Sequence, residues 1–316
     1  MKLDLIVPTY NRSALLSKCL RSIDQAAVPS AMTLSVLIVD NNSTDDTDWV
    51  ISDFIKQSKL SIRSLFVAEP GKSAALNRAL SQTDGELVGL IDDDEEIDPT
   101  WFAVVHREFL DNPGLDFIGG PYYPRWEIPA PTWLPKDFDG AICSIPNTKR
   151  EKFCTWDNET NTGSGMLMGG NAVIRRPVLS QVLPYPEVLG KIGEKIRSGE
   201  DEVIYHRLLA LNAFGIRVPE LIVYHWIPAD RLTKKYYRKW TVGRGISVGY
   251  QYRERSVEEG SVFGIPRYMF GNAIRSIFTA RSHKQRFRSQ LIVLDCFAVL
   301  YGRHFYGRDL GRSGKK

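Results

Sequence analysis

The sequence has few cysteines, and their spacing is unlike that of a zinc site. The 316 residues contain four of them, at Cys19, Cys143, Cys154 and Cys296, and none forms a CxxC pair. So few cysteines in a chain of this length give no disulfide scaffold. We therefore expect a reducing compartment, without structural zinc or disulfide bonds.

Long apolar segments are also missing. The longest apolar run late in the chain, LIVLDCFAVLYG at 291–302, is too short to span a bilayer and contains Asp295. The N-terminal apolar run breaks at Pro8, so it lacks the core of a secretory signal. We expect no transmembrane helix and an N-terminus that stays in the cytosol.

Repeats and one common nucleotide-binding motif are absent as well. The sequence contains no internal repeat or low-complexity segment. No GxGxxG pattern follows the first apolar run, and a dinucleotide-binding dehydrogenase needs those glycines for close approach of the backbone to the pyrophosphate. A dehydrogenase is therefore excluded.

The net charge of +4 hides a division of charge along the chain. Residues 231–316 carry 19 Lys or Arg against 5 Asp or Glu, a net charge of +14. The preceding residues carry 22 basic against 32 acidic side chains, a net charge of −10. A basic tail on an acidic body makes an anionic membrane surface and nucleic acid candidate partners. No nucleic-acid recognition motif accompanies the tail, so we expect no nucleic acid.

The first 120 residues alternate short β-rich apolar runs with segments of helical period. This alternation predicts an α/β fold with a mostly parallel sheet flanked by helices. With 43% apolar residues, the chain is long enough to bury a large core. The predicted strands are 3–8, 34–40, 61–69 and 86–92.

Polar residues end each of these predicted strands, at Thr9, Asp40, Glu69 and Asp92. In open parallel sheets, ligands bind beyond the carboxyl ends of the strands. We therefore expect these side chains to lie along one edge of the sheet and to form the ligand site.

The most unusual stretch is GLIDDDEEIDP at 89–99, which has six carboxylates within seven positions. So much like charge costs stability unless a cation offsets it, and carboxylates suit a divalent metal ion. Alternation along the chain places Asp92 and Asp94 on one side and Asp93 on the other. Asp98 and the following proline fit the N-cap and first residue of a helix.

Residues 120–163 lose the regular pattern and are rich in Pro, Trp and Tyr, which predicts a long loop over the edge of the sheet. Trp133 in this segment could stack on a sugar ring. Aromatic packing beneath the loop is an equally good interpretation. Regular pattern returns with a predicted strand at 165–176, a helix beginning near Ser198 and a strand at 216–226.

Six stretches together resemble the glycosyltransferases of family 2, which have the GT-A fold. They occur in the order and with the spacing of that family and cover about the first 230 residues. They are VPTYNR (7–12), VLIVDNNSTDDT (36–47), GKSAALNRAL (71–80), GLIDDDEEIDP (89–99), GGNAVIRR (169–176) and GEDEVIYHRL (199–208). The resemblance implies a Rossmann-like, mostly parallel sheet flanked by helices, followed by a basic helical extension.

The resemblance also implies which residues bind the nucleotide. Asp40 would contact the base over a floor around Pro8 and Thr9, although Asn41 stands where many relatives have a second aspartate. Two alternatives remain, an Asx turn at Asp40 and a solvated side chain at Lys72. The full predicted nucleotide-binding set is Pro8, Thr9, Tyr10, Arg12, Asp40, Lys72, Asp92 and Asp93.

For the metal, the resemblance implies Mn²⁺ or Mg²⁺ held directly by Asp94, with Asp92 nearby. Such an ion would neutralise the charge that develops on a leaving nucleotide diphosphate. Some GT-A enzymes take a further ligand from a histidine after the last core strand, and His225 has that position. A structural histidine on an apolar strand is the alternative.

The GED stretch supplies the implied catalytic base, Asp201, with Glu200 beside it. Inversion at the sugar requires a base because the acceptor hydroxyl must lose its proton as it attacks. A cluster that caps the helix is the alternative interpretation. Together with Glu200 and Trp133, Gly170 and Asn171 would form the acceptor side.

We divide the chain into a catalytic domain at 1–230 and a basic extension at 231–316. The catalytic domain has a nucleotide-binding half at 1–120 and an acceptor half at 121–230. The pattern of basic and apolar residues in the extension predicts amphipathic helices at 263–280 and 287–306. These helices would lie on an anionic bilayer or pack on the core. The QxxRW motif of processive synthases is absent, which favours transfer of one sugar per encounter.

The sequence thus predicts a metal-dependent, inverting enzyme that moves a hexose-type sugar from a nucleotide diphosphate donor, with UDP the expected nucleotide. The acceptor would be a saccharide or a lipid-linked saccharide at the inner face of the cytoplasmic membrane. A nucleotidyltransferase would need a Gly-rich, basic signature after the first strand, where the chain has only TYNRS. A non-catalytic carbohydrate-binding relative is disfavoured because Asp92, Asp94 and Asp201 are all present.

Overall fold

The structure is a computed structural model that describes residues 1–134, 141, 145, 149–154, 166–191, 198–254 and 260–306. The helices are α1 (Ser13–Gln25), α2 (Thr47–Gln57), α3 (Lys72–Leu80), α4 (Trp101–Asp111), α5 (Arg176–Val182), α6 (Glu200–Ala210), α7 (Lys234–Glu254), α8 (Arg267–Thr279) and α9 (His283–His304). The strands are β1 (Lys2–Thr9), β2 (Thr33–Asp40), β3 (Ser61–Phe66), β4 (Leu87–Ile91), β5 (Glu95–Ile97), β6 (Phe117–Gly119), β7 (Tyr122–Trp126), β8 (Glu151–Lys152), β9 (Asn171–Arg175), β10 (Gly215–Arg217), β11 (Val223–Ile227), β12 (Ser261–Val262) and β13 (Ile265–Pro266).

An eight-stranded sheet, in the order β3-β2-β1-β4-β9-β6-β10-β8, organises the first part of the chain. Strands β3, β2, β1 and β4 run parallel to one another, and β9 pairs antiparallel with both β4 and β6. A smaller sheet has the order β5-β11-β7. The α/β fold with a mostly parallel central sheet is therefore confirmed.

Both faces of the large sheet are covered by helices, which explains why its central strands are apolar throughout. Successive side chains of β1 point to opposite faces. Leu5 and Val7 join the core with α1, α2 and α4, whereas Ile6 joins the core with α3, α5 and α6. On α1 the residues Leu16, Cys19, Leu20 and Ile23 recur at helical spacing, and they are its buried residues.

Two local predictions were wrong. The segment 216–226 is not one strand, because the chain turns after β10 and Leu221 N–H bonds to Val218 O before β11 begins. The helix predicted to start at Asp98 begins at Trp101 instead. Asp98 N–H bonds to Ile222 O, which ties this residue to the small sheet, and the Asp98 carboxylate accepts hydrogen bonds from Thr100.

The described chain divides into two compact units. The first comprises 1–125, 143–187 and 200–226, and the second comprises 126–142, 188–199 and 227–316. The second unit contains α7, α8 and α9, with apolar clusters around Tyr237 and around Ile265.

Glycines allow α7 and α9 to approach each other closely within the second unit. A Cβ atom on Gly249 would lie 2.0 Å from Val299 O, and one on Gly302 would lie 2.1 Å from Ile246 O. Only glycine fits such backbone contacts. Within the described ranges, no helix combines the length and the apolar character needed to cross a bilayer.

Candidate active site

The polar ends of the parallel strands meet at one edge of the large sheet, as the sequence predicted. Thr9 ends β1 and is paired in register with Asp40, which ends β2. Thr9 Oγ1 donates a hydrogen bond to Asp93 Oδ2 at 2.8 Å, directly after β4. The first, second and fourth strands therefore bring their polar residues into one site.

Three carboxylates converge at the centre of this site. Asp92, Asp94 and Glu95 each offer an oxygen within 4.8 Å of the others. Glu95 is only 2% exposed, and its Oε2 atom accepts a hydrogen bond from the Asp92 N–H at 3.0 Å. Burial, and then the charges of Asp92 and Asp94, raise the pKa of Glu95 well above its usual value. These groups form a site suited to a cation.

Glu95 was missing from the residues predicted for the site. The signal was present in the acidic run, but the sequence did not show that a short strand follows Asp94. Strand β5 pairs antiparallel with β11, and this pairing fixes Glu95 opposite His225. The long-range pairing determines the role of Glu95, and local pattern does not reveal it.

Arg12 lies on the acidic cluster at the start of α1. Its Nη1 atom is 2.7 Å from Asp93 Oδ1 and 2.8 Å from Asp94 Oδ2. Burial by itself would lower the pKa of Arg12, but Asp93, Asp94 and Asp92 together outweigh it and raise the pKa. Burial raises the pKa of Asp93, and Arg12 opposes that shift. Arg12 thus offsets part of the like charge.

His225 lies next to Asp94, and its predicted role as a metal ligand stays a prediction. Its Nε2 atom is 3.6 Å from Asp94 Oδ2, and both side chains are buried. The neighbouring Trp226 N–H donates to Asp94 O at 2.8 Å, which fixes this part of β11 against the acidic turn.

Lys72, the first residue of α3, connects the acidic turn to the GED stretch. Its Nζ atom lies 2.7 Å from Asp92 Oδ1, 3.8 Å from Glu200 Oε1 and 3.9 Å from Asp201 Oδ2. Burial alone would lower the pKa of Lys72, but Asp92, Asp201 and Glu200 together raise it well above its usual value. The solvated alternative for Lys72 is therefore wrong.

In the first turn of α6, Glu200 is buried and Asp201 is half-buried. Burial, and then the charge of Asp201, raise the pKa of Glu200 to about 8. Burial also raises the pKa of Asp201, although Lys72 opposes the shift. Within the described ranges, Glu200 Oε2 and Asp201 Oδ1 are buried atoms without a hydrogen-bond partner. A buried carboxylate oxygen without a partner favours protonation, in line with the raised pKa values of both groups.

Two glycines lie in close contact with carboxylates of the site and leave room for them. A Cβ atom on Gly169 would lie 2.1 Å from Asp201 Oδ1, and one on Gly170 would lie 2.3 Å from Glu95 Oε1. Any side chain at either position would displace a carboxylate of the site. Gly170, predicted for the acceptor side, therefore acts at least through the space it leaves for Glu95.

The structure gives Asn171 and Trp133 packing contacts. Asn171 is buried, accepts a hydrogen bond from Trp101 Nε1 at 3.0 Å and donates one to Leu221 O at 2.8 Å. Trp133 belongs to the second unit, where its ring packs edge-to-face on Tyr237 and Phe287. Their predicted contacts with an acceptor stay predictions.

Around the predicted nucleotide pocket, the Asp40 side chain bonds to the backbone three residues further on, one residue beyond the reach of the Asx turn given above as its alternative role. Its Oδ1 atom accepts a hydrogen bond from Ser43 N–H at 3.0 Å. Asn41 bonds to Val67 O and to Gly71 N–H, so this departure from the common family pattern holds the start of α3 against β2. Pro8 is buried and Tyr10 is half-buried beside this turn.

The mostly parallel sheet, with an acidic turn at the edge where its strands end, is that of the GT-A glycosyltransferases. Comparison with known proteins supports this assignment. The model of the family described as glycosyl transferase family 2 matches residues 4–183, more than half of the chain. The chain belongs to this family.

Curated relatives match mainly part of the chain. The GalNAc(5)-diNAcBac-PP-undecaprenol beta-1,3-glucosyltransferase of Campylobacter jejuni is 34% identical over 99 residues, which is 30% of each chain. The hyaluronan synthase of Pasteurella multocida is 31% identical over 257 residues, 72% of this chain and 25% of the synthase. The matched stretches thus span less than a third of the length of these relatives.

Solved structures share the fold over nearly the whole chain. A mannosyltransferase from Pyrobaculum calidifontis in complex with GDP-Man and Mn²⁺ has a TM-score of 0.63 at 17% identity, covering 97% of this chain and 88% of that one. Residues 1–349 of S. aureus TarS in complex with UDP-GlcNAc have a TM-score of 0.51 at 16% identity, covering 99% and 92%. At these identities the likeness establishes the fold.

Proposed function

We propose that this chain is a metal-dependent, inverting glycosyltransferase that moves a sugar from a nucleotide diphosphate donor to a saccharide or lipid-linked acceptor. One observation carries the proposal. The half-buried carboxylate of Asp201 lies in the same site as a three-carboxylate cluster, and Lys72 contacts both groups. This arrangement pairs a base for the acceptor with a cation site for the leaving diphosphate.

The acidic cluster fits a divalent metal ion. Asp92, Asp94 and Glu95 offer oxygen ligands. The pKa of Glu95 is raised first by burial and then by the charges of Asp92 and Asp94, and a bound cation would offset this like charge. Asp94 would hold the ion directly, with Glu95, Asp92 and His225 around it. When bound, Mn²⁺ or Mg²⁺ supplies a Lewis acid that neutralises charge on the diphosphate.

Asp201 would act as the general base. The acceptor hydroxyl attacks the anomeric carbon from the side opposite the diphosphate. The bond between the anomeric carbon and the diphosphate oxygen breaks as the bond to the acceptor oxygen forms, and the nucleoside diphosphate leaves. The hydroxyl proton would pass to the Asp201 carboxylate, whose side chain is 18% exposed. Lys72 favours the ionised form of Asp201 before transfer, because it is the cation nearest to that carboxylate among the described residues.

The nucleotide would bind at the edge formed by the ends of β1 and β2. Asp40 would accept a hydrogen bond from the base, over a floor made by Pro8, Thr9 and Tyr10. Asp92, Asp93, Arg12 and Lys72 would lie near the ribose and the phosphates. UDP is the proposed nucleotide. The neighbouring structures hold UDP-GlcNAc and GDP-Man, which are both donors of the proposed class.

The proposed place of action is the inner face of the cytoplasmic membrane. Residues 231–316 carry a net charge of +14, which suits an anionic membrane surface. The name of the Campylobacter jejuni relative describes transfer to an undecaprenol-linked saccharide. A lipid-linked acceptor at a membrane is consistent with both observations.

A donor screen that measures nucleotide release tests the proposal directly. We expect release of one nucleoside diphosphate, UDP, only with Mn²⁺ or Mg²⁺ present and increased by an added acceptor. The Asp201→Asn variant should lose turnover by several orders of magnitude and retain donor affinity, because the change removes the base and leaves the donor contacts. Unchanged turnover in this variant would reject Asp201 as the base.

A further inference from the structure

Two helices bring charged residues to the site, and each of them also holds one short segment further from it. Helix α3 carries Lys72 and, five residues later, Asn77, whereas α6 carries Asp201 and, six residues later, Arg207. At 1.5 Å per residue, Asn77 and Arg207 lie roughly 7–9 Å along their helices from these charges. Both side chains are half-buried, and the proposed reaction uses neither of them.

Asn77 holds the backbone of Tyr185 from α3. Its Nδ2 atom donates a hydrogen bond to Tyr185 O at 2.9 Å, and its Oδ1 atom accepts one from Tyr185 N–H at 2.9 Å. The same Nδ2 atom lies 3.2 Å from Glu187 Oε1. This pair of bonds needs an amide, because an amide combines a donor and an acceptor on one side chain.

Arg207 holds the same part of the chain from α6. Its Nη1 atom donates hydrogen bonds to Val182 O at 2.7 Å and to Pro184 O at 2.8 Å. Val182 ends α5, where the last carbonyl groups have no partner within the helix, and a charged donor makes strong bonds to them. The segment 182–187, which we call the clamp segment, is therefore bonded to both α3 and α6.

The side chain of Tyr185 packs in the apolar core that α3 and α6 share. It is 2% exposed and belongs to one cluster with Leu76 of α3 and Ile204 of α6. Burial raises the pKa of Tyr185, the charge of Asp201 raises it further, and the charge of Lys72 opposes the shift. The clamp segment thus places a large ring within electrostatic reach of the contact between Lys72 and Asp201.

We propose that the clamp segment fixes the distance between Lys72 and Asp201, and that Asn77 and Arg207 are positioning residues for the proposed base. Lys72 Nζ and Asp201 Oδ2 are 3.9 Å apart, and the attraction between two charges weakens as their distance grows. Loss of either side chain leaves the clamp segment bonded to one helix only, so α6 is less firmly held against α3. The inference rests on the function proposed above and adds to it the residues that position the base.

Steady-state kinetics of Arg207→Met tests the contact from α6. We expect kcat to fall by at least about tenfold, because misplacing a reacting group by about 1 Å is costly. Affinity for Mn²⁺ and for UDP, measured by calorimetry, should change by less than about twofold, because the nucleotide and metal contacts lie elsewhere. Arg207→Lys keeps a charged donor and should recover most of the lost kcat.

The control for Arg207 is Arg63, which also donates to a backbone carbonyl in the same unit. Arg63 Nη2 lies 3.1 Å from Gln82 O, and neither residue belongs to the proposed site. Arg63→Met should therefore keep the kcat of the unaltered chain. Equal kcat values in Arg207→Met and Arg63→Met would overturn the proposal.

Asn77→Ala tests the contact from α3 and should lower kcat in the same way. Its control is Asn112→Ala, which removes a half-buried amide whose Nδ2 atom donates to Glu108 O at 3.0 Å. We expect the control to keep its kcat. A normal kcat in Asn77→Ala would exclude Asn77 from positioning and overturn the clamp.

The pH dependence of kcat/KM separates positioning of the base from a general loss of stability. A longer distance from Lys72 weakens its effect on Asp201, so the acidic limb should move to higher pH in Arg207→Met. In a chain that already carries Lys72→Met, the change at Arg207 should move the limb no further. Equal shifts with and without Lys72 would overturn the proposal. The titratable groups that face Asp201 are Lys72 on α3, Asp92 after β4, Tyr185 in the clamp segment and Glu200 beside it.

Crystal structures of the unaltered chain and of Arg207→Met measure the same contact without any turnover. We expect the distance between Lys72 Nζ and Asp201 Oδ2 to increase by more than about 1 Å in the variant and to stay unchanged in Arg63→Met. If Arg207→Met proves unstable in thermal unfolding, Asn77→Ala gives the same measurement. An unchanged distance would overturn the clamp. A lack of turnover in the unaltered chain with every donor would instead contradict the proposed function, and this distance would still decide on the clamp.

Discussion

Lys72 Nζ lies 2.7 Å from Asp92 Oδ1, so the lysine at the start of α3 forms an ion pair with the acidic turn that follows β4. The same nitrogen is 3.9 Å from Asp201 Oδ2 on α6. The carboxylates of the acidic turn and of α6 therefore share one positive charge. Binding of a diphosphate near Lys72 would change the electrostatic environment of the proposed base.

We expect Lys72→Met to shift the pH profile of activity. Lys72 lowers the pKa values of Glu200 and Asp201, so its removal raises them further. A base must be ionised, and the acidic limb of kcat/KM should therefore move to higher pH. Lys72→Arg should restore most of the original profile, and Lys59→Met, at an exposed position of the same unit, should leave it unchanged. An unshifted acidic limb in Lys72→Met would show that Lys72 does not influence the pKa of the proposed base.

Glu95 should matter for metal binding as much as the aspartate that the sequence singles out. We expect Glu95→Gln and Asp94→Asn each to weaken Mn²⁺ binding by at least about tenfold, because each removes an anionic ligand from a small cluster. Isothermal titration with Mn²⁺ measures this without any turnover.

The control for Glu95 is the neighbouring Glu96. Its carboxylate pairs with Arg125 at 2.7 Å and lies outside the three-carboxylate cluster. Glu96→Gln should therefore bind Mn²⁺ as the unaltered chain does. Equal Mn²⁺ affinity in Glu95→Gln and Glu96→Gln would exclude Glu95 from the metal site.

The first four strands, their parallel arrangement and the position of the acidic turn followed from the sequence, because they depend on local pattern and on a general rule for parallel sheets. Thr9, Asp40 and Asp92 lie near one edge for that reason. The pairing of Arg12 with Asp93 and Asp94 did not follow. It depends on where α1 begins relative to a turn 81 residues later in the chain.

Contacts between residues far apart in the sequence also explain the two wrong predictions of strand and helix boundaries. The apolar run at 216–226 has the composition of a single strand, yet its two ends belong to different sheets, β10 to the large one and β11 to the small one. The Asp98-Pro99 pair has a helix-start pattern, but tertiary contact with Ile222 delays the helix. Pairing between distant segments overrides local preference in both cases.

Glu200 should make the stability of the fold depend on pH. Its pKa is about 8 in the folded chain, raised first by burial from a usual carboxyl value. Between the two values the folded state keeps a proton that the unfolded state has released, so stability falls as pH rises from about 5 to 8. Each pKa unit corresponds to about 1.4 kcal/mol, which makes the total loss on the order of a few kcal/mol.

Thermal unfolding of Glu200→Gln measures this contribution. The glutamine stays neutral, so the variant should lose less stability than the unaltered chain on going from pH 5 to pH 8. Glu86→Gln, at an exposed position, should keep the original dependence. Parallel curves for the unaltered chain and Glu200→Gln would show that Glu200 is ionised in both states across this range.

Gly169 provides the most specific test of the geometry around the proposed base. A Cβ atom there would lie 2.1 Å from Asp201 Oδ1, a distance that real atoms do not tolerate, so Gly169→Ala must displace the carboxylate or the loop. Displacement of a base by about 1 Å costs on the order of a hundredfold in turnover. We expect a loss of that size in kcat, with donor affinity changed much less because the proposed nucleotide site lies at the ends of β1 and β2.

Gly114→Ala is the control, since nothing lies within 4 Å of a Cβ atom at that position in the same unit. Full activity in Gly169→Ala would mean that Asp201 does not need the position that the structure gives it.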